Sequence, residues 1–258
     1  MSSISAVVIT YNEEEDIGRC VESLLPVADE IIVVDSFSTD RTKEICERYN
    51  VHFYSRIWEG YSSAKNFGNT LAQHEWILSI DADEALSEEL QKSIAAFKKT
   101  DPSLTGTFVF NRLTNYSGHW VRHCGWYPDQ KIRMWKRGIG NWDGTLHEQV
   151  VFSATTTISH LKGDLLHYSF PSIKDHIQTM NNYSEVASTD LVTRNKKIYF
   201  VIHLILNPCY TFISKYFFNL GFMDGYYGFV ICSLSAFANF LKYSKAWSKK
   251  KSILSKSV

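Results

Sequence analysis

The chain has 258 residues, 45% hydrophobic and 14% aromatic, enough to bury one large core or a core with an appendage. Its five cysteines (Cys20, Cys46, Cys124, Cys209 and Cys232) are scattered, with no metal-type spacing, and predict reduced thiols, as in the cytoplasm. The formal net charge is zero, but from Leu191 onward ten basic residues face one acid, Asp224, so this part carries +9 and the remainder −9. A basic, apolar C-terminal portion beside an acidic remainder predicts contact with an anionic membrane surface; a solvated basic tail is the plainer alternative. The acidic remainder, without an RNP-type or helix-turn-helix pattern, argues against nucleic acid.

Residues 5–11 (SAVVITY) read as a buried strand ending at Asn12. Residues 6–9 are too short for a secretory signal and have no cationic lead. Helical spacing of Ile17, Val21, Leu24 and Leu25 follows within 13–25, and 30–35 (EIIVVD) is a second strand ending in an acid. Ser38 can cap a helix over 39–49, a third strand covers 51–56, a helix covers 61–72, and 76–81 (WILSID) is the fourth strand. Strands alternating with helices give an α/β fold with a parallel sheet and right-handed crossovers. After Pro102 the alternation stops: 107–113 and 131–135 read as strands around a Gly- and aromatic-rich excursion, and 155–158 as a further short strand. A helix covers 172–194. The nearly all-apolar stretch 199–218 is interrupted by His203, Asn207-Pro208 and Lys215, so it reads as an interfacial or partner-packing helical hairpin. A last helix runs over 226–247. The domain reading is a catalytic domain over 1–170, split into halves at 100/101, and a helical, basic and apolar extension over 171–258.

The stretch 76–84 organises the chain. Asp81 and Asp83 lie two apart on an extended backbone, so their carboxylates point the same way. Such a pair repels unless a cation or hydrogen bonds hold it, which reads as a metal site for a substrate diphosphate. The competing reading is an acidic turn before a helix starting near Ser87. Tyr11-Asn12-Glu13, Asp35-Ser36 and Asp81-Ala82-Asp83 all end strands at one edge of a parallel sheet, where ligands bind. Neither a Gly-x-Gly-x-x-Gly nor a phosphate loop is present.

Four motifs, Val8-Ile9-Thr10-Tyr11-Asn12-Glu13, Val33-Val34-Asp35-Ser36, Ala64-Lys65-Asn66 and Asp81-Ala82-Asp83-Glu84, resemble in order and spacing the family-2 inverting glycosyltransferases of the GT-A fold. Leu146-His147-Glu148, Leu166-His167-Tyr168-Ser169 and Asp224-Gly225-Tyr226-Tyr227-Gly228 are similar to the bacterial lipopolysaccharide-core glucosyltransferases of that family. The resemblance implies a GT-A domain that transfers a hexose, glucose first, from a UDP-sugar to a lipopolysaccharide-core or lipid-linked glycan. It places the enzyme peripherally on the inner face of the cytoplasmic membrane, through the C-terminal extension, and allows a homo-oligomer. In that reading Thr10, Tyr11, Asn12 and Glu13 pack around base and ribose, Asp35 bonds uracil, Lys65 lies near the nucleotide, Asp81 binds ribose, and Ala82 completes the motif. Asp83 ligates Mg²⁺ or Mn²⁺, with His167 as the other protein ligand. Glu148 is the base, with Asp143, Asp129 and Asp164 as rivals, since His147-Glu148 stands where the family has Glu-Asp. Trp126, Tyr127 and Arg133 form an acceptor wall, unless these aromatics simply pack on the sheet. Asp35 as a turn cap with Ser38, Lys65 as a solvated helix lysine and His167 as a core histidine are the plainer alternatives. A polyprenyl-phosphate glycosyltransferase, a sugar nucleotidyltransferase and a non-catalytic nucleotide-sugar-binding module are the rival functions.

Overall fold

Strand β1 (Ile4–Thr10) is buried along its length between two parallel neighbours, β2 (Glu30–Asp35) and β4 (Trp76–Asp81). Runs as apolar as these become central strands because both faces of a parallel sheet must be covered. The computed structural model describes residues 2–99, 106–144, 148–153 and 155–255. Two units emerge: Met1–Leu113 with Asp129–Tyr168, and Thr114–Pro128 with Ser169–Val258. The excursion over 116–129, which the sequence reading placed in the 101–170 half of the catalytic domain, groups for the most part with the C-terminal unit.

In the first unit the strand order is β3-β2-β1-β4-β8-β6-β11-β5, where β3 is His52–Ser55, β5 Glu84–Leu86, β6 Thr107–Tyr116, β8 Asp129–Lys136 and β11 Ile158–Phe170. The parallel half, β3-β2-β1-β4, carries the crossovers α1 (Ile17–Leu24), α2 (Thr42–Cys46) and α3 (Tyr61–Leu71). β8 then runs antiparallel to β4, and β5 antiparallel to β11. This α/β arrangement, parallel first and antiparallel after, is the GT-A architecture that the resemblance implied. Alternation along β1 divides the core: Ala6 and Val8 pack with α1 and with α4 (Glu88–Phe97), while Val7 and Ile9 pack with α3 and the hairpin of β9 (Gly140–Asp143) and β10 (Gln149–Phe152). Gly68 lets α3 approach closely, since a Cβ there would meet Val7 Cγ1 at 2.3 Å. Ser87 caps α4 by accepting from Leu90 N–H, as the acidic-turn reading expected.

The differences from the sequence reading are local. α2 is five residues, not the expected eleven, because Asp40 and Thr42 are drawn into loop hydrogen bonds. The strand expected at 155–158 begins only at Ile158 and continues to Phe170, and the strands β5, β9 and β10 were too short to give a period.

In the second unit β7 (His119–Val121) pairs with Thr114–Tyr116, the end of β6. Tyr116, Val121, Cys124, Ile231 and Cys232 form its core, joined by Phe212 and Tyr216. α5 (Ile173–Thr193) starts at the cap Ser172. The stretch Phe200–Phe218 is not a hairpin but one helical run, π-wound at Phe200–Leu206 and Ser214–Phe218 and α-wound as α6 (Asn207–Ile213). Pro208 falls at the start of α6, where the wider preceding turns absorb its missing N–H, so the chain does not reverse there. The bend of 73° comes after Phe218, before α7 (Gly225–Ser255). Asp224, without a role in the sequence reading, is buried and accepts from the Arg122 and His123 N–H groups, with the His119 and His123 rings at 3.4 and 3.2 Å. It pins the 119–124 segment to the start of α7.

Candidate active site

The register aligns the ends of three parallel strands: Thr10 lies opposite Asp35 and Ile9 opposite Asp81. Two loops at this edge are stitched together. Asn12, at the left-handed φ of 54° that asparagine tolerates, donates its N–H to Ser38 Oγ and accepts from Thr39 N–H, while Glu13 N–H donates to Thr42 Oγ1. Thr10 Oγ1 is buried with no hydrogen-bond partner among the described residues, and Tyr11 is exposed. Asp35 is buried and accepts from both the N–H and the hydroxyl of Ser38, the turn-cap geometry named as its alternative.

Asp81 is held by two cations. Lys65 Nζ lies 2.8 Å from Oδ1, and Arg133 Nη2 donates to Oδ2 at 2.7 Å. Burial would raise the Asp81 carboxyl, but Arg133 and Lys65 outweigh it and hold the group well below the usual carboxylate range. Lys65 is buried, 4.3 Å from the Trp142 ring centroid, which rules out the solvated-lysine alternative. Its neighbour Asn66 clasps the Trp142 backbone with both amide atoms, donating to O and accepting from N–H at 2.8 Å each, and so fixes the β9–β10 hairpin on α3.

Arg133 corrects an expectation. Rather than standing on an acceptor wall it is 3% exposed, and its second bond goes to Glu84 Oε1 at 2.5 Å. Glu84, also buried, returns to the same loop by accepting from Asp81 N–H, and Arg112 reaches it at 3.3 Å while gripping Asp129. Glu84 and Arg133 therefore brace the Asp-x-Asp turn from below. The readable signal was an arginine between Ile132 and Met134 in a predicted strand. Trp126 and Tyr127 belong to the second unit; Trp126 packs against Tyr116 and Phe170 there.

Ala82 is buried, and Asp83 is half-buried. The Tyr168 N–H donates to the Asp83 carbonyl, and His167 Nε2 lies 3.1 Å from Asp83 Oδ2. Pairing of β11 with β5 sets His167 opposite Glu84 and so beside Asp83. Glu13 joins this group: burial, then the charges of Asp83, Asp16, Asp40 and Asp81, push its carboxyl up to about 7. Asp83 and His167 suit the donor chemistry of a divalent ion such as Mn²⁺, a carboxylate oxygen and an imidazole nitrogen held side by side 3.1 Å apart. Among the described residues no group of three His, Cys, Asp or Glu is set to hold a metal.

Glu148 is half-buried immediately before β10, on the hairpin that bears Trp142. Leu146 and His147 of its motif lie outside the described residues. Among its rivals, Asp129 is paired with Arg112 and Lys131, and Asp143 accepts from Gly144 N–H. The backbone of Asp164 is paired with Ser87.

The profile of the family described as Glycosyl transferase family 2 matches residues 5–154. An uncharacterised glycosyltransferase of Rickettsia typhi is 32% identical over 95% of this chain and 87% of its own length. The lipopolysaccharide core biosynthesis glycosyltransferase LpsC of Rhizobium meliloti is 29% identical over 95% of this chain and 92% of its own. Among solved structures, glucosyl-3-phosphoglycerate synthase from Mycobacterium tuberculosis, in complex with Mn²⁺, uridine diphosphate and phosphoglyceric acid, aligns at 21% identity over 45% of this chain and 44% of that one. The TM-score of that alignment is 0.36. The matched profile covers more than half of the chain, including every strand end that builds the site, and the chain belongs to glycosyltransferase family 2.

Proposed function

We propose that the chain is an inverting, metal-dependent glycosyltransferase that moves a sugar, glucose first, from a UDP-sugar to a lipopolysaccharide-core or lipid-linked glycan at the cytoplasmic face of the membrane. The observation that carries this reading is the convergence of Thr10, Asp35, Asp81 and Asp83 at one sheet edge, with His167 against Asp83. The role of LpsC in lipopolysaccharide core biosynthesis supports the acceptor class.

Asp83 and His167 would hold Mg²⁺ or Mn²⁺, which supplies positive charge as the diphosphate leaves. Tyr11 and Asn12 border the base and ribose, and Asp35 offers its carboxylate to uracil while Ser38 fixes its orientation. Lys65 and Arg133 hold Asp81 ionised and immobile, so the turn is preorganised for a ligand. Glu148 takes the proton of the acceptor hydroxyl as that oxygen bonds the anomeric carbon and the bond to the diphosphate breaks on the opposite face.

The test is transfer from UDP-glucose to core acceptor glycan, with product stereochemistry, for wild type and Glu148→Gln. The reading predicts an inverted linkage, unchanged donor affinity in the variant and a rate lower by about 10²–10⁴. Transfer to polyprenyl phosphate in the absence of glycan, pyrophosphate release from UTP, or donor binding without turnover in either protein would each contradict it.

A further inference from the structure

The helical run Phe200–Phe218 has two unlike faces. Its inner face is packed: Phe212 and Tyr216 join the core of the second unit, Thr211 Oγ1 accepts from Asn239, and Lys215, its one Lys or Arg, is turned inward to the Cys124 carbonyl at 3.2 Å. Its outer face is apolar and bare. Phe200, Ile205, Tyr210, Phe217 and Phe218 are exposed, Tyr210 to 67% and Phe218 to 77%, and the surface continues past the bend onto Met223. Contiguous apolar surface of this extent marks an interaction site.

The charges nearby say what covers it. Lys196 and Lys197 are exposed immediately before the run, and Arg194 beside them is exposed and paired with Asp190 at 2.7 Å. The end of α7 returns to the same place, because Lys250 Nζ donates to the Lys196 carbonyl at 2.7 Å and the Trp247 ring meets Phe200. Lys251 lies beside it, so basic side chains from two segments collect where the apolar run begins. A second copy of this chain would bring the same cations to the same surface, and like charges oppose such a contact. An anionic headgroup layer over hydrocarbon complements both parts, with aromatic rings at the boundary.

We propose that the outer face of Phe200–Phe218, with Met223, inserts into one leaflet of an anionic bilayer while Arg194, Lys196, Lys197, Lys250 and Lys251 bind its headgroups. The segment lies in the interface. Among the described residues no single helix is long and apolar enough to cross a membrane, and the run meets that test only together with Gly221–Ser252, across the 73° bend. The inference rests on the proposed function only for which leaflet is used, and lipid contact itself is independent of the donor chemistry.

Flotation of the full chain with vesicles of phosphatidylcholine containing 30 mol% phosphatidylglycerol, or of phosphatidylcholine alone, tests it, with light scattering in lipid-free buffer and UDP-sugar binding measured in parallel. The wild type is expected to float with the anionic vesicles, weakly with the neutral ones, and less as salt rises. Lys196→Gln/Lys197→Gln is expected to weaken binding by about fivefold per charge removed. Phe218→Asp is expected to abolish flotation while leaving UDP-sugar binding and thermal midpoint unchanged, and Phe218→Leu to retain flotation. Flotation of Phe218→Asp at the wild-type level overturns the proposal, as does folded wild type that stays with no vesicle. A lipid-free dimer that Phe218→Asp dissociates while vesicle binding persists assigns the face to a second copy and overturns it equally.

Discussion

Arg133→Met tests the brace beneath the Asp-x-Asp turn. The guanidinium makes two charge-assisted bonds, to Asp81 and Glu84, and its side chain is 4% exposed. Removing it leaves two carboxylates where breaking a buried pair costs about 3–5 kcal/mol. Asp81 retains Lys65 and is 27% exposed, and Glu84 retains Arg112, so the expected loss lies at the lower end, about 3 kcal/mol. For a chain of this size that is a fall in thermal midpoint of roughly 6–12 °C, read by calorimetry or fluorescence without ligand. Arg133→Met/Glu84→Gln leaves Asp81 with Lys65 and Arg112 with Asp129, a balanced set, and is expected to cost less than the two single changes added, by about 1–3 kcal/mol. A loss under about 1 kcal/mol for the single variant, as for a surface ion pair, would refute the reasoning.

Glu13 makes the site pH-dependent. Its carboxyl in the folded chain, about 7, lies above the ordinary value of 4.5, so the folded state keeps a proton that the unfolded state releases, and stability falls as pH rises through that window. Glu13→Gln is therefore expected to raise the thermal midpoint at pH 8 relative to wild type and not at pH 5, with equal offsets at both pH values counting against it. A cation at Asp83 should expel the same proton, so Mn²⁺ binding at pH 6.5, measured by calorimetry in buffers of different ionisation enthalpy, is expected to release protons from wild type and fewer from Glu13→Gln. Gly68→Ala should destabilise by about 1–3 kcal/mol, despite alanine's better helix propensity, because the new Cβ meets Val7 Cγ1 at 2.3 Å. A raised thermal midpoint would show that α3 does not need this close approach.

The parallel half was legible because β1, β2 and β4 are buried on both faces, so their apolar runs and the acids ending them stand out in one dimension. Parallel pairing brings these strand ends to one edge, while the register that sets Thr10 beside Asp35 and Ile9 beside Asp81 is seen only in the sheet itself. The turn cap on Asp35 was visible as a local pattern, with Ser38 three residues on. What escaped depends on distant partners. Arg133 is 52 residues from Asp81, and nothing local distinguishes an arginine that braces a turn from one that meets an acceptor. Asp224 takes its partners about 100 residues away, at His119, Arg122 and His123. Strands of three or four residues such as β5 and β9 are too short to show a period, yet β5 is what brings His167 beside Asp83. In 199–218 the interruptions at His203, Asn207-Pro208 and Lys215 read as a helical hairpin, whereas π-type turns keep one helical direction.

The most direct test of the central claim, that these strand ends form a UDP-sugar and metal site, is calorimetric binding of UDP-, GDP-, ADP- and TDP-sugars with Mn²⁺ or EDTA to wild type and Asp83→Ala. The account predicts that a UDP-sugar binds wild type with Mn²⁺, and that EDTA or Asp83→Ala weakens binding by at least about tenfold while thermal stability without ligand is maintained. Equal binding in all three conditions, or no binding of any nucleotide sugar to folded wild type, would contradict it and leave Asp81-Ala82-Asp83 as a braced turn.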